Sequence, residues 1–233
     1  MPYVEGHEVR KLARLEDAHW WYRERRHILA RLISGMTPGR ALDIGAAGGG
    51  NTRVLIEHGW QAVALEYTQD GALAADERSV PVMRADATNL PVQTGSLDLV
   101  MAFDLLEHLV EHGACVQEVH RVLKPGAPFL VAVPVDPKLW SDHDVAVGHV
   151  RRYHRAEILD LLQRNGFEIQ RRFAWNVLLR PVVSMRRRTS QGSDLQDTHW
   201  AVNAALRAVI TVERYLPVKD LPGVSEFVVA RRR

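Results

Sequence analysis

The chain has 233 residues, with 46% hydrophobic and 25% charged side chains, 30 basic and 28 acidic residues, and a net charge of +2. The length fits one α/β-sized domain with a modest elaboration. The composition excludes a wholly disordered chain, a collagen-like fibre and a disulfide-built miniature. A lone cysteine, Cys115, excludes an intramolecular disulfide and a cysteine-only metal site. Near-balanced charge gives no bias toward nucleic acid or membrane surfaces. The opening residues hold no apolar run of signal-peptide length, and no stretch reaches the about 18 apolar residues of a membrane span, so a soluble cytoplasmic protein is expected.

The apolar period switches repeatedly between helical and strand-like spacing, the mark of alternating β and α units. A helix is expected over residues 8–33, stopped by Gly35, Pro38 and Gly39. A short buried strand follows at 41–44, then a Gly-rich turn and a helix from 51 to 58, with Asn51 as its cap. Strand 60–66 and helix 72–78 come next. Strand 80–85 carries Pro81, which places it at an edge or strand end. Strand 97–103 is nearly continuous in apolar residues and so belongs in the middle of a parallel sheet. Helix 114–123, strand 129–133 and helix 156–165 continue the alternation. Strands 167–173 and 227–230 enclose an insertion of about fifty residues, polar and basic at first (Arg186 to Arg188), then helical over 202–216. The expected fold is α/β: doubly wound, mostly parallel, with crossovers long enough to be right-handed.

Ligands in such sheets bind beyond the carboxyl ends of the strands, where strand order reverses. After the first strand the chain reads Asp43-Ile44-Gly45-Ala46-Ala47-Gly48-Gly49-Gly50-Asn51. Small residues there let backbone approach a ligand closely, and the next helix offers its free N–H groups. Gly45, Ala47 and Gly50 also match a degraded dinucleotide fingerprint. Glu66 ends the second strand, where a carboxylate can accept from both ribose hydroxyls, a feature shared by NAD and nucleoside sites. Asp43 can face a cationic end of the ligand, and Asp86, followed by Ala87, can accept from an adenine amino group.

Taken with the stretch LDLVMAFDLLEHL (residues 97–109) and Arg121-Val122-Leu123-Lys124-Pro125-Gly126, these motifs resemble those of class I S-adenosylmethionine (SAM) dependent methyltransferases. The resemblance spans residues 40–133, in order. The run His19-Trp20-Trp21-Tyr22-Arg23-Glu24-Arg25-Arg26 is similar to the N-terminal helix of a bacterial small-molecule branch. Ala47 departs from the glycine usual at its place. The resemblance implies a seven-stranded sheet ending in an antiparallel hairpin, and SAM as cofactor. It puts Gly45, Ala46 and Gly49 against the methionine part, Glu66 on the ribose, Asp86 and Ala87 at the adenine, and Phe103 near the sulfonium. Asp43, Tyr67 and His108 join that set, and Tyr22 and Arg25 would close over the cofactor. The implied organisation is a helical cap at 1–39, a SAM-binding core at 40–175, a helical insertion at 176–222 and a last strand with basic tail at 223–233.

Rival readings fare worse on the residues. The only Tyr-x-x-x-Lys pair, Tyr215 and Lys219, is interrupted by Pro217, which breaks the helix a short-chain dehydrogenase needs there. A base-amino methyltransferase typically carries an Asn/Asp-Pro-Pro-aromatic signature where this chain has Phe103-Asp104-Leu105-Leu106. Arginine clusters leave a phosphate-binding face open. The run Trp140-Ser141-Asp142-His143-Asp144, with His149 and His154, holds nitrogen and oxygen donors but is not laid out as a zinc site, and no metal is expected. A histidine base oriented by an aspartate fits those residues better. The expected partner is a small-molecule acceptor, methylated on oxygen, with nitrogen and carbon open; a non-catalytic SAM-binding protein and an RNA or protein methyltransferase are the alternatives. Catalytic histidines are expected at His143 and His149, with Trp140, Tyr153, Asn176, Asn203 and Glu213 on the acceptor side.

Overall fold

The structure is a computed structural model in which residues 15–187 and 199–233 are described. In order, α1 (Trp20–Ile33), β1 (Arg40–Ile44), α2 (Gly50–Glu57), β2 (Gln61–Glu66), α3 (Gln69–Asp76), β3 (Val82–Arg84) and β4 (Leu99–Phe103) make the first half. A 3₁₀ turn at Leu106–His108 leads to α4 (His112–Val122), β5 (Pro128–Pro134), α5 (Asp142–Ala146), α6 (Arg155–Arg164) and β6 (Phe167–Trp175). Helices α7 (Arg180–Arg187) and α8 (Trp200–Glu213) precede the last strand, β7 (Ser225–Arg232). No described helix is long and apolar enough to cross a membrane.

The seven strands form one sheet in the order β3-β2-β1-β4-β5-β7-β6. Strands β1 to β5 pair in parallel, and β7 runs antiparallel to both β5 and β6. The apolar run of the fourth strand is central, with all five of its residues buried. Pro81 leads into β3, which is the sheet edge. Alternation along β4 splits the core. Val100 and Ala102 pack with Val116 and Val119 of α4 and Ile158 and Leu162 of α6. Leu99, Met101 and Phe103 face the other layer, with Leu29 of α1, Leu55 of α2 and Ile210 of α8.

Several element boundaries differ from expectation, each for a local reason. The first described helix starts at Trp20, because residues 16–18 turn and His19 caps it through Nδ1, which accepts from Trp21 N at 3.3 Å. Residues 8–14 of the expected helix, and Arg188, lie outside the described residues. The cap of α2 is Gly49 rather than Asn51: its φ of 75° turns the chain into the helix two residues earlier. The stretch read as a polar basic lead-in contains a helix, α7, whose Val182 and Val183 line the cavity described below. Expected strand ends move by up to two residues, since pairing with neighbours rather than apolar content sets them.

Candidate active site

Strand order reverses between β1 and β4, and the chain opens there into a cavity of about 410 Å³. Its floor is the carboxyl ends of these strands, with Ile44, Gly45 and Phe103 on the wall. One end reaches Glu66, Tyr67, Asp86 and Ala87; the other reaches His108, His143, His149 and Asn176 under α7 and α8.

At the first end the backbone shapes the wall. Gly45 has φ 74° and its N–H donates to Leu65 O at 2.9 Å. A Cβ at Gly45 would lie 2.8 Å from Leu105 Cδ1, so only glycine fits. Ala47 also sits in the left-handed region, at φ 48°, which explains why glycine suits that position and costs alanine about 1 kcal/mol. The Ala47 N–H donates to the Glu66 carboxylate. Burial pushes Glu66 up to about 7, against the hydrogen bond from Ala47 that pulls it down. Asp86 Oδ1 accepts from Thr88 N at 2.8 Å and Thr88 Oγ1 at 2.7 Å.

The α1 helix closes one side. Tyr22 and Arg25 line the cavity, and burial, followed by the negative charges of Glu16 and Asp104, raises the Tyr22 hydroxyl. Arg25 is 3% exposed, its guanidinium 5.0 Å from the centre of Phe227 and 5.6 Å from that of Phe103, with Nη2 2.5 Å from Asp104 Oδ2. The ion pair neutralises a cation that the aromatic cage alone would hold weakly. Asp104 itself has φ 54°, a non-glycine residue in the left-handed region immediately after β4.

At the second end, side chains do the shaping. His149 Nδ1 lies 2.8 Å from Asp144 Oδ1, and Arg152 Nε donates to the same oxygen at 2.8 Å. Burial raises Asp144, but the His149 bond and the charges of Arg152 and Arg187 outweigh it and hold the carboxyl at about 2. His149 Nε2 is 3.8 Å from Glu107 Oε1. Glu107 is fully buried, and burial followed by the charge of Asp104 raises its carboxyl well above the usual range. His108 Nδ1 donates to Gly148 O at 3.1 Å, and burial pushes this imidazole down to about 4. His143 stands on the wall beside His149, their ring centres 6.2 Å apart. Asn176, at φ 61°, follows β6 on the cavity wall, and neither its Oδ1 nor its Nδ2 has a hydrogen-bond partner among the described residues.

Of the residues expected from the sequence, Tyr22, Arg25, Gly45, Ala46, Glu66, Tyr67, Asp86, Ala87, Phe103, His108, His143, His149 and Asn176 stand on this one wall. Six do not. Asp43 is 1% exposed and accepts the Thr52 hydroxyl at 2.7 Å, tying β1 to α2 beneath the loop; burial pushes it up to about 7. Gly49 turns the chain behind the wall, against Val80. Trp140 is 42% exposed and off the cavity. Tyr153 is core, its hydroxyl 2.6 Å from His112 Nδ1 and donating to Leu106 O at 3.1 Å. Asn203 clamps the start of α1, accepting from Trp20 N at 2.8 Å and donating to Ala18 O at 3.1 Å. Glu213 accepts from Asn176 N at 2.8 Å and Leu178 N at 2.9 Å, so it positions Asn176 and does not itself reach the cavity. Sequence reasoning missed Asp104, Leu179, Val183 and Leu206 on the wall and Glu107 behind it. Two acids three apart after an apolar strand were the available signal for Asp104 and Glu107; nothing local marks the others.

A family model for a methyltransferase domain matches residues 42–131. A Mycolicibacterium smegmatis protein named a probable S-adenosylmethionine-dependent methyltransferase is 28% identical over 167 residues, 69% of this chain and 64% of that protein. The chain is thus similar to SAM-dependent methyltransferases over residues 42–131, and it spans less than two thirds of the length of the curated relatives it matches. A demethylmenaquinone methyltransferase of Corynebacterium urealyticum is 33% identical over 126 residues, 52% of each chain. Among solved structures, a SAM-dependent methyltransferase from Archaeoglobus fulgidus superposes with a TM-score of 0.65 at 17% identity, covering 90% of this chain and 94% of that one. The [4+2]-cyclase SpnF superposes with a TM-score of 0.61 at 19% identity, covering 91% and 82%, and that likeness is one of fold alone.

SAM is the cofactor for which these relatives are named, and the residues present fit it. Gly45 keeps backbone open at the wall where a Cβ would clash. Glu66 and Asp86 place carboxylates at successive strand ends, and Thr88 occupies only one oxygen of Asp86 among the described residues. In the middle of the cavity Phe103 and Tyr22 offer aromatic surface, which suits a sulfonium.

Proposed function

We propose that the protein transfers the methyl group of SAM to an oxygen of a small, largely apolar acceptor. The observation that carries this reading is continuity: one cavity joins Glu66 and Asp86 to the histidines and to the apolar side chains of α7 and α8. Bound SAM supplies a methyl already activated on a positively charged sulfur, so alignment and exclusion of water are the protein's main tasks. Glu66 and Asp86 orient the nucleoside, and the backbone at Gly45 and Ala46 borders the amino-acid part. Asp104 keeps Arg25 from opposing a positive sulfur.

The acceptor side is supported by chemistry of two kinds. Leu179, Val183, Val202 and Leu206 give it an apolar lid, and Trp20 and Trp21 pack in the same cluster as Leu179, Val183 and Leu206. Beneath them lies a polar corner of His143, His149 and Asn176, where a hydroxyl proton can leave. Asp144 holds His149 by Nδ1, which leaves Nε2 as the nitrogen with a free lone pair. That nitrogen can take a proton or hold a cation.

Calorimetric titration with SAM and with S-adenosylhomocysteine (SAH), its demethylated product, tests cofactor binding: both should bind, and Glu66→Ala should weaken SAM about 10- to 100-fold, the worth of hydrogen bonds to a charged group. Binding of NAD with none of SAM sinks the reading. Incubation with fractionated cell extracts should release SAH with small-molecule fractions. SAM binding without release in any fraction would leave a binding protein, and release only with RNA or protein fractions would replace the acceptor class.

A further inference from the structure

We infer that the polar corner of the cavity is a binding site for one divalent first-row transition-metal ion, held by Glu107, His108 and His149. One ligand atom from each of the three lies within 4.8 Å of the other two. An ion bound at about 2.0–2.2 Å needs its ligand atoms roughly 3–4 Å apart, so closure by less than about an ångström of side-chain movement suffices.

Three independent features aim these groups at an ion. First, Glu107 is fully buried, and neither carboxylate oxygen has a hydrogen-bond partner among the described residues. A carboxylate with two orphan oxygens in the interior calls for a cation or a proton donor, and the nearest histidine nitrogen, at 3.8 Å, is too far to be the donor. Second, both imidazoles are fixed by bonds on the other ring nitrogen. The Gly148 carbonyl only accepts, so it holds the proton on His108 Nδ1, and Asp144 does the same for His149. Each Nε2 therefore carries a lone pair, and a carboxylate or carbonyl behind a histidine is the usual support of a metal ligand. Third, the nearby guanidiniums already have carboxylate partners, Arg25 with Asp104 and Arg152 with Asp144.

The donor set chooses the ion class. Two imidazoles and one carboxylate suit manganese, iron(II), cobalt or zinc and disfavour magnesium and calcium, which prefer oxygen. Three protein ligands leave coordination positions open, and His108 and His149 both border the cavity. This site is distinct from the run at 140–144 that the sequence brought to attention: His143 is a neighbour, and His154 is exposed.

The inference rests on the methyl-transfer reading for its purpose. An ion here would act as a Lewis acid beside the acceptor hydroxyl, lowering its pKa so that the proton leaves to solvent water near neutrality. The oxygen lone pair then forms the new C–O bond while the C–S pair stays on sulfur. His149 is on this view a ligand and not a base.

The test uses the full chain, purified without added metal, stripped with a chelator and titrated with cobalt(II). Cobalt should bind one per chain with a visible absorption band, and the bound ion should raise the melting temperature. Glu107→Gln, which keeps the buried shape, and His149→Ala should each abolish the band. Asp144→Asn should weaken cobalt 10- to 100-fold, the range for second-shell partners. His154→Ala, at a residue away from the three ligands, should leave the cobalt band unchanged. No band, or a band that survives in both Glu107→Gln and His149→Ala, overturns the site. Parallel SAM titrations separate the two readings. SAM binding without cobalt binding removes the metal and leaves methyl transfer. Cobalt binding without SAM binding keeps the site and removes its assigned purpose.

Discussion

The two ends of the cavity are built by different means. The end proposed for the cofactor takes its wall from consecutive strand ends, residues 44–47, 66–67 and 86–87, with backbone conformation as the main instrument. The end proposed for the acceptor takes its wall from segments far apart in the chain: α1, the turn after β4, α5, the end of β6, α7 and α8. There the instruments are buried charges and orphan polar atoms, Asp144, Arg152, Glu107 and Asn176. A site of the first kind depends on its turns and on the few carboxylates at its strand ends. One of the second kind is a network, and removing one member strands the rest.

The largest effect should come from breaking that network. Asp144→Ala leaves buried Arg152 without its carboxylate, which should cost about 3–5 kcal/mol of stability, read from the midpoint of urea unfolding. A loss below about 1 kcal/mol would show that the two ends are built alike. At the cofactor end the sharpest structural test is Gly49→Ala. The new Cβ would meet Val80 Cγ2 at 2.8 Å at a φ of 75°, so a loss of about 2 kcal/mol is expected by the same measurement.

Acidity sharpens the contrast further. In the proposed role Glu66 must be ionised to accept from ribose hydroxyls, and burial has pushed it up to about 7. SAM affinity should therefore rise with pH, by up to about tenfold per unit, and level off above about 7. Glu66→Gln should flatten that profile, and a wild-type profile that is level from pH 5 to 8 would remove Glu66 from cofactor binding. Stability without ligand moves the other way. Folded Glu66 and Asp43 keep their protons above their ordinary values of 4.5 and 3.8, so stability falls as pH rises toward 7. The smallest effect is expected at Trp140. It lies off the cavity, so Trp140→Ala should leave SAM affinity unchanged and cost at most about 1 kcal/mol.

Much of this was legible in the chain alone, because it depends on local chemistry. Alternating apolar periods yield the βα units, the unbroken run at 97–103 yields a central strand, and glycines after β1 yield a close-approach turn. The positions of Glu66, Asp86 and Phe103 follow from those elements, since each stands at a strand end. What tertiary structure decided is which polar side chains share a space. Asp43 and Tyr153 resembled site residues by position but face inward, where Thr52, His112 and Leu106 satisfy them. Glu213 and Asn203 became struts for Asn176 and for the start of α1. Glu107, His108 and His149 meet across some forty residues of chain, and Leu179, Val183 and Leu206 form a lid only because α7 and α8 fold back over the strand ends. The periodicity of a sequence reports which face of an element is buried. It carries no record of which distant charge lies opposite, and that is settled only when the layers pack and every buried polar group must find a partner.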